Sequence, residues 1–181
     1  MAKLFFALPL QQLAPELIDW RDQRPWPGQP VPQANLHLTL AFLGEADQVT
    51  TARLMAAAER QHCPPLVITL DETGWFSRAK AAWVGPSEWP NELNVLARAL
   101  RRHGEKLGLG NGEQGYRPHV TLSRKAGEAP EALPAPYFVL QVDSFCLYQS
   151  VSTPQGVSYD PIACWPLRAR VKATSSEELT P

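Results

Sequence analysis

Two short segments of this chain present a histidine and a threonine in the same arrangement. The first is His-Leu-Thr-Leu at 37–40 and the second is His-Val-Thr-Leu at 119–122. Residues i and i+2 of a β-strand share a face, so the histidine and threonine of each tetrad project together while the apolar residues face the other way. An imidazole beside a hydroxyl, presented twice, is suited to acid–base chemistry at an anionic, oxygen-rich group.

The two tetrad histidines, His37 and His119, could divide the work of a displacement at phosphorus. One imidazole would act as a base toward water or a hydroxyl, and the other as an acid toward the leaving oxygen. The hydroxyls of Thr39 and Thr121 would donate hydrogen bonds to the non-bridging oxygens. A single tetrad in a half-buried strand is more often structural. The repeat instead favours a duplicated unit that places both tetrads about one cleft.

Other kinds of active site find little support in the sequence. Neither tetrad histidine has carboxylate or cysteine companions at the spacing of a zinc site, so we predict no metal and no cofactor. No serine lies in a Gly-x-Ser-x-Gly turn, and no glycine-rich loop of the nucleotide-hydrolase type occurs in the sequence. The residues alone leave open which histidine is the acid and which is the base.

Two further side chains are candidates for contacts in the cleft. Phe42 could stack on a nucleobase, although single aromatic residues more often pack in a core. Arg124 could contact a phosphate, but regular alternation from His119 places residue 123 on the catalytic face. Arg124 therefore needs a bulge or a strand end to reach the cleft.

The composition is that of a compact globular chain without a strong charge bias. It has 181 residues, 44% of them hydrophobic, and a formal net charge of −1 at pH 7, which suits one domain with a substantial core. Proteins that coat nucleic acid are usually distinctly basic, so any nucleic-acid contact should be local to one end or one phosphate. No apolar segment approaches membrane-spanning length. Cys63, Cys146 and Cys164 show no pairing pattern and predict reduced thiols in a cytoplasmic protein.

Periodicity, together with proline and glycine, predicts the elements that hold the tetrads. The predicted helices are 15–21, 47–61, with Asp47 as N-cap, and 91–106, with the clearest apolar stripe. The predicted strands are 3–8, 36–43, 66–71, 75–84, 117–122, 137–149 and 158–167. We expect Gly44 to end the second strand, and 75–84 to form a hairpin with 66–71. The order of these helices and strands resembles two copies of a similar unit and favours an α+β fold. We expect one domain over 1–171, with a flexible tail at 172–181.

The tetrads and their flanks resemble the 2H phosphoesterase superfamily. Residues 35–45 (Asn-Leu-His-Leu-Thr-Leu-Ala-Phe-Leu-Gly-Glu) and 117–124 (Arg-Pro-His-Val-Thr-Leu-Ser-Arg) are similar to the two motifs of one branch. That branch is the RNA 2′,3′-cyclic phosphodiesterases, also called the bacterial and archaeal 2′-5′ RNA ligase family. The likeness extends to the opening strand at 4–9 and the closing segment at 147–167, so it covers nearly the whole chain.

This resemblance implies a bilobal α+β fold, with antiparallel or mixed sheets lining a central cleft and helices outside. It implies hydrolysis of a 2′,3′-cyclic phosphate at an RNA end, on tRNA-like fragments among others, to a 2′-phosphomonoester, and also the joining of 2′-5′ linkages. His37 would be the proton donor and His119 the proton acceptor, with Thr39 and Thr121 holding the phosphate. We expect a cytoplasmic monomer without an obligate protein partner.

Two other functions stay open on the sequence. A phosphodiesterase for small cyclic phosphates, such as a cyclic nucleotide, would have identical tetrads and differ at the rim of the cleft. A module that binds a nucleotide or an RNA end without turnover is disfavoured, because binding alone does not need two titratable groups.

Overall fold

The predicted alternation of helices and strands is present in the computed structural model, which describes residues 2–110, 112, 115–131 and 134–171. The helices in that part of the chain are α1 (Ala14–Asp22), α2 (Gln48–Glu59) and α3 (Asn91–Lys106), with a 3₁₀ turn at Gln33–Asn35. The strands are β1 (Ala2–Pro9), β2 (Gln29–Pro30), β3 (His37–Ala46), β4 (Leu66–Leu70), β5 (Glu72–Phe76), β6 (Ala81–Gly85), β7 (Val120–Arg124), β8 (Phe138–Val142), β9 (Ser144–Thr153) and β10 (Gly156–Pro166).

The strands of the two tetrads, β3 and β7, are neighbours near the centre of the main sheet. Its order is β10-β9-β1-β3-β7-β6-β5, with β2 pairing on β7. All of these pairings are antiparallel, and β3 and β7 each have an outer partner, β1 and β6 respectively. The expected α+β fold with antiparallel sheets is confirmed.

The main hydrophobic core lies on the face of the sheet opposite the tetrad histidines. The apolar tetrad residues point into it, and none is more than 4% exposed: Leu38, Leu40, Val120 and Leu122. Helix α3 packs on β3 through its buried stripe of Leu93, Leu96, Ala97 and Leu100. A smaller cluster of Phe5, Ala7, Cys146 and Tyr148, with Tyr159 packed on it, lies on the histidine face. The alternation predicted for the tetrads is confirmed.

Local signals defined the ends of the helices well. Helix α3 has the predicted bounds. Helix α2 begins after Asp47, whose carboxylate accepts a hydrogen bond from the backbone N–H of Thr50 at 2.7 Å. That bond lowers the pKa of Asp47, as expected for a carboxylate that caps a helix N-terminus.

Three expectations about the strands are wrong. Gly44 does not end β3, which continues to Ala46, because Gly44 adopts a φ of +87° within the strand, a conformation that costs glycine little. Strand β4 pairs with β8 in a separate two-stranded sheet, whereas the hairpin is formed by β5 and β6. The run at 137–149 is two strands, since β8 ends before Asp143 and β9 begins after it.

The expectation of three reduced thiols is also wrong in this structure. Cys146 of β9 and Cys164 of β10 lie opposite each other in the ladder and form a disulfide. Their sequence separation of 18 residues does not reveal this pairing, because it depends on the register of two strands. Cys63 is a buried free thiol, and burial raises its pKa to about 11.

Two further expectations concern the ends and the surroundings of the domain. The tail predicted at 172–181 lies outside the described residues, so the domain boundary at 171 stays a prediction. Within the residues that the structure describes, no helix has the length and apolar character needed to cross a membrane.

Candidate active site

The two tetrads meet where β3 pairs with β7. The antiparallel register places the residue between His37 and Thr39 opposite the residue between His119 and Thr121. This register carries Thr39 toward His119 and His37 toward Thr121. All four side chains are half-buried on the face opposite the core. Each histidine is therefore directed toward the threonine of the other tetrad.

Each tetrad histidine is held in the same tautomer by a backbone carbonyl two residues earlier. His37 Nδ1 lies 2.7 Å from Asn35 O, and His119 Nδ1 lies 2.8 Å from Arg117 O. A carbonyl oxygen only accepts hydrogen bonds, so Nδ1 carries the proton in both rings. In the neutral rings, Nε2 then has the lone pair that can exchange a proton with a substrate.

Aromatic rings pack against both imidazoles. The ring centroids lie 4.8–6.1 Å apart in four such contacts, with Phe5 and Tyr159 beside His37 and with Phe76 and Trp83 beside His119. Gly74 of β5 leaves room for the Trp83 indole, because a Cβ at that position would overlap the ring. These contacts restrict how far the imidazoles can turn.

The environment of His37 disfavours its charged form. Burial is the main cause that lowers its pKa to about 4, and the positive charges of Arg124 and His119 also lower it. The hydrogen bond to Asn35 O acts in the opposite direction. His37 is therefore uncharged at neutral pH in this structure. An anion placed among these three groups would stabilise the imidazolium and raise the pKa of His37.

Two β-bulges direct further side chains toward the histidines. The register of β3 with β1 skips Leu40, and the register of β7 with β6 skips Leu122. An extra residue reverses the alternation, so the fifth residue after each histidine returns to the catalytic face. These residues are Phe42, which is 49% exposed, and Arg124. The bulge that Arg124 needs is present.

The sequence analysis missed two side chains that bind carbonyls at the bulges, the buried Arg21 and the half-buried Tyr116. The Arg21 guanidinium, on a residue that is 6% exposed, donates from Nη1 to Val31 O at 2.5 Å and to Leu122 O at 3.3 Å. The Tyr116 hydroxyl donates to Thr39 O at 3.1 Å, and burial raises its pKa. The available signal for Arg21 was its place on the buried face of a predicted helix.

Two cavities adjoin His37 and share Tyr159 as a lining residue. The first, about 360 Å³, lies along the β3 bulge and is lined by Lys3, Phe5, Phe42, Gly44, Gly110 and Ser150 among others. The second, about 390 Å³, lies at the start of β3 and is lined by Gln11, Gln33, Asn35 and Tyr148 among others. Aromatic and amide side chains are suited to the faces and edges of nucleobases.

In the described part of the chain, no three His, Cys, Asp or Glu side chains are grouped so that they could hold a metal ion. The prediction of no metal and no cofactor stays a prediction. The groups that the structure brings together for chemistry are two imidazoles, two threonine hydroxyls and the Arg124 guanidinium.

The chain is similar over most of its length to known proteins. The model of the 2′-5′ RNA ligase superfamily matches residues 9–153, which include both tetrads, and the chain belongs to that superfamily. The RNA 2′,3′-cyclic phosphodiesterase of Escherichia coli (strain K12) is 36% identical over 170 residues, which cover 91% of this chain and 96% of that protein. The protein of the same name from Thermus thermophilus is 31% identical over 182 residues, covering 92% and 90% respectively.

Solved structures show the same fold. Escherichia coli LigT complexed with 3′-AMP superposes with a TM-score of 0.86 at 35% identity, covering 92% of this chain and 98% of that one. A protein of Thermus thermophilus superposes with a TM-score of 0.78 at 26% identity, covering 94% of this chain and 100% of that one. The family expected from the tetrads and the fold expected from the resemblance are both confirmed.

Proposed function

We propose that this protein is an RNA 2′,3′-cyclic phosphodiesterase that converts a terminal cyclic phosphate to a 2′-phosphomonoester. The observation that carries the proposal is the repeated geometry of the tetrads. Each presents a histidine in the Nδ1–H tautomer and a threonine hydroxyl at the junction of β3 and β7. The curated relatives that bear this name support it.

His119 is the base and His37 is the acid in the proposed reaction. Nε2 of His119 accepts a proton from water as the water oxygen bonds to phosphorus. The bond from phosphorus to O3′ breaks, O3′ takes the proton from Nε2 of His37, and the phosphate stays on O2′. An in-line displacement needs the two groups on opposite sides of phosphorus, and we assign one imidazole to each side because each belongs to a different tetrad and strand.

In the proposed reaction, binding of the substrate promotes protonation of His37. His37 has a pKa of about 4 in this structure, so it is mostly neutral before an anion binds. The negative phosphodiester raises this pKa and draws a proton onto the imidazole. His119, whose Nδ1 is bound to Arg117 O, accepts the proton of the attacking water at its other nitrogen.

Thr39, Thr121 and Arg124 stabilise the negative charge that grows on the non-bridging oxygens. The two hydroxyls donate hydrogen bonds, and the Arg124 guanidinium adds a charge-assisted contact. The bulge of β7 supports this role, because it returns Arg124 to the face of the histidines. Its charge also acts on His37, which supports a place near the same phosphate.

The terminal nucleobase stacks on Phe42 in the cavity of about 360 Å³ beside His37. The ring of Phe42 is half exposed, as a stacking platform requires. The formal net charge of −1 suits recognition of an RNA end, tRNA-like fragments included, rather than of a long backbone. The proposal includes a cytoplasmic monomer that also joins or cleaves 2′-5′ linkages when a ribose hydroxyl replaces water.

A short RNA that ends in a 2′,3′-cyclic phosphate tests the proposal. The wild type should convert it to the 2′-phosphate in excess EDTA, and the His119→Ala variant should not. Binding without conversion would favour a recognition module. If the RNA is neither bound nor converted, nucleoside 2′,3′-cyclic phosphates and small cyclic nucleotides become the substrates to assay.

A further inference from the structure

The side chain of Arg117, two residues before His119, is clamped by three others. Its guanidinium forms an ion pair with the carboxylate of Glu72. It also lies over the rings of Trp83 and Trp89, 5.1 Å from each centroid. A guanidinium that is stacked on two indoles and paired with a carboxylate has little freedom to turn.

The backbone of the same residue orients His119. Arg117 O is the acceptor 2.8 Å from His119 Nδ1. The next peptide is confined as well, because a Cβ at Gly85 would lie only 2.7 Å from Pro118 O. Gly85 is directly opposite Glu72 in the β5–β6 ladder. The segment that leads into the second tetrad is therefore held by β5 and β6 through its side chain and through its backbone.

The first tetrad has the same arrangement, with a different side chain two residues before the histidine. Asn35 O lies 2.7 Å from His37 Nδ1, and the Asn35 amide donates to Val157 O of β10 at 2.6 Å. In both tetrads, the residue two positions before the histidine is anchored by its side chain and orients the imidazole through its carbonyl. The two side chains have different anchoring partners, and the common element is the carbonyl.

We propose that Glu72 and Arg117 are positioning residues that keep His119 in the Nδ1–H tautomer. When the clamp is removed, the Arg117 carbonyl can turn away and the ring samples the Nε2–H tautomer. That tautomer has no lone pair at Nε2 and cannot accept the proton of water there. The kinetic part of this inference rests on the proposed function, in which His119 is the base.

The test compares Glu72→Gln and Arg117→Lys with the wild type by nitrogen-15 NMR of the imidazoles and by steady-state kinetics. Glu72→Gln should bring a population of Nε2–H tautomer at His119 and lower kcat about tenfold to a hundredfold, with KM little changed. Arg117→Lys keeps the ion pair but loses the planar stacking, so it should lie between the wild type and Arg117→Ala.

The matched control is Glu59→Gln. Glu59 also pairs with an arginine, Arg168, at 3.6 Å with both side chains more than half exposed, and its loss should leave the kinetics and the tautomer unchanged. An unchanged tautomer in Glu72→Gln would overturn the proposal. A raised KM with an unchanged tautomer would make Arg117 a substrate contact instead.

Two safeguards keep the test decisive. Thermal unfolding reports whether each variant is folded, and the Arg117→Lys spectrum decides the question if Glu72→Gln does not fold. If the wild type fails to hydrolyse RNA 2′,3′-cyclic phosphates, the proposed function fails. The tautomer spectra still decide whether Glu72 and Arg117 position His119.

Discussion

Phe42 and Arg124 occupy equivalent positions in the two halves of the site. Each follows its tetrad histidine by five residues and lies beyond a one-residue bulge. One position carries an aromatic ring and the other a guanidinium, so the two halves share a backbone arrangement but differ in the side chains at these positions. The near-symmetry of the tetrads is broken here, and the proposed function assigns base stacking to the ring and phosphate binding to the guanidinium.

Removal of either imidazole should abolish most of the turnover. His37→Ala and His119→Ala should each lower kcat by about two to four orders of magnitude, because each removes one of two proton transfers. Thr39→Ala and Thr121→Ala should cost about tenfold to a thousandfold, as the loss of one charge-stabilising donor does. Release of the 2′-phosphate measures this, with thermal unfolding as the control for folding. Near-full activity in either histidine variant would rule out the two-histidine mechanism.

Phe42→Ala should weaken RNA binding without unfolding the protein. Stacking of one base contributes about 1–3 kcal/mol, so KM for the cyclic-phosphate RNA should rise roughly fivefold to a hundredfold. A ribose 2′,3′-cyclic phosphate without a base should be hydrolysed equally by both proteins. Val49→Ala, at a 63% exposed position on α2, is the matched control. An unchanged KM for the RNA would assign Phe42 to packing alone.

The affinity of the site for anions should increase as the pH falls. His37 has a pKa of about 4, and an anion raises it toward the ordinary value, so binding is coupled to proton uptake between these two values. Calorimetry with sulfate, which stays doubly charged from about pH 8 to about pH 5, should show tighter binding at the lower pH.

His37→Asn isolates this effect. The variant keeps a polar side chain but cannot take up the proton, so its sulfate affinity should depend less steeply on pH than that of the wild type. If sulfate affinity depends equally on pH in the two proteins, the proton is bound elsewhere. The hypothesis that substrate binding protonates His37 would then be wrong.

The Cys146–Cys164 disulfide should make the oxidised protein more resistant to unfolding. It closes a loop with a sequence separation of 18 residues, for which chain entropy allows up to about 3 kcal/mol. Thermal unfolding with and without a reductant measures the difference, and Cys146→Ser/Cys164→Ser should be insensitive to the reductant. Equal midpoints for oxidised and reduced wild type would contradict this.

Local patterns predicted the elements and the outward face of each tetrad. The burial of Leu38 and Val120 beside half-buried histidines follows from a period of two, and α3 follows from its apolar stripe. Such features depend on residues a few positions apart. The family resemblance added the fold, because its two motifs are specific and its match covers most of the chain.

Contacts between distant elements could not be predicted from the sequence. The guanidinium of Arg117 meets Glu72 of β5, Trp83 of β6 and Trp89, and no local pattern joins these residues. Strand β4 pairs with β8, which lies far along the chain, so that Ile68 is opposite Leu140. The disulfide has the same origin, since it depends on the β9–β10 register.

The two halves of the site meet where β3 pairs with β7. The register pair between β3 and β7 is Leu38 with Val120, and both side chains are fully buried on the core face. Backbone pairing at this position fixes the spacing of the two strands, while the carbonyls and rings restrict the orientation of the imidazoles. The alignment of the two tetrads consequently depends on a residue pair whose side chains are anchored in the core, on the face away from the histidines.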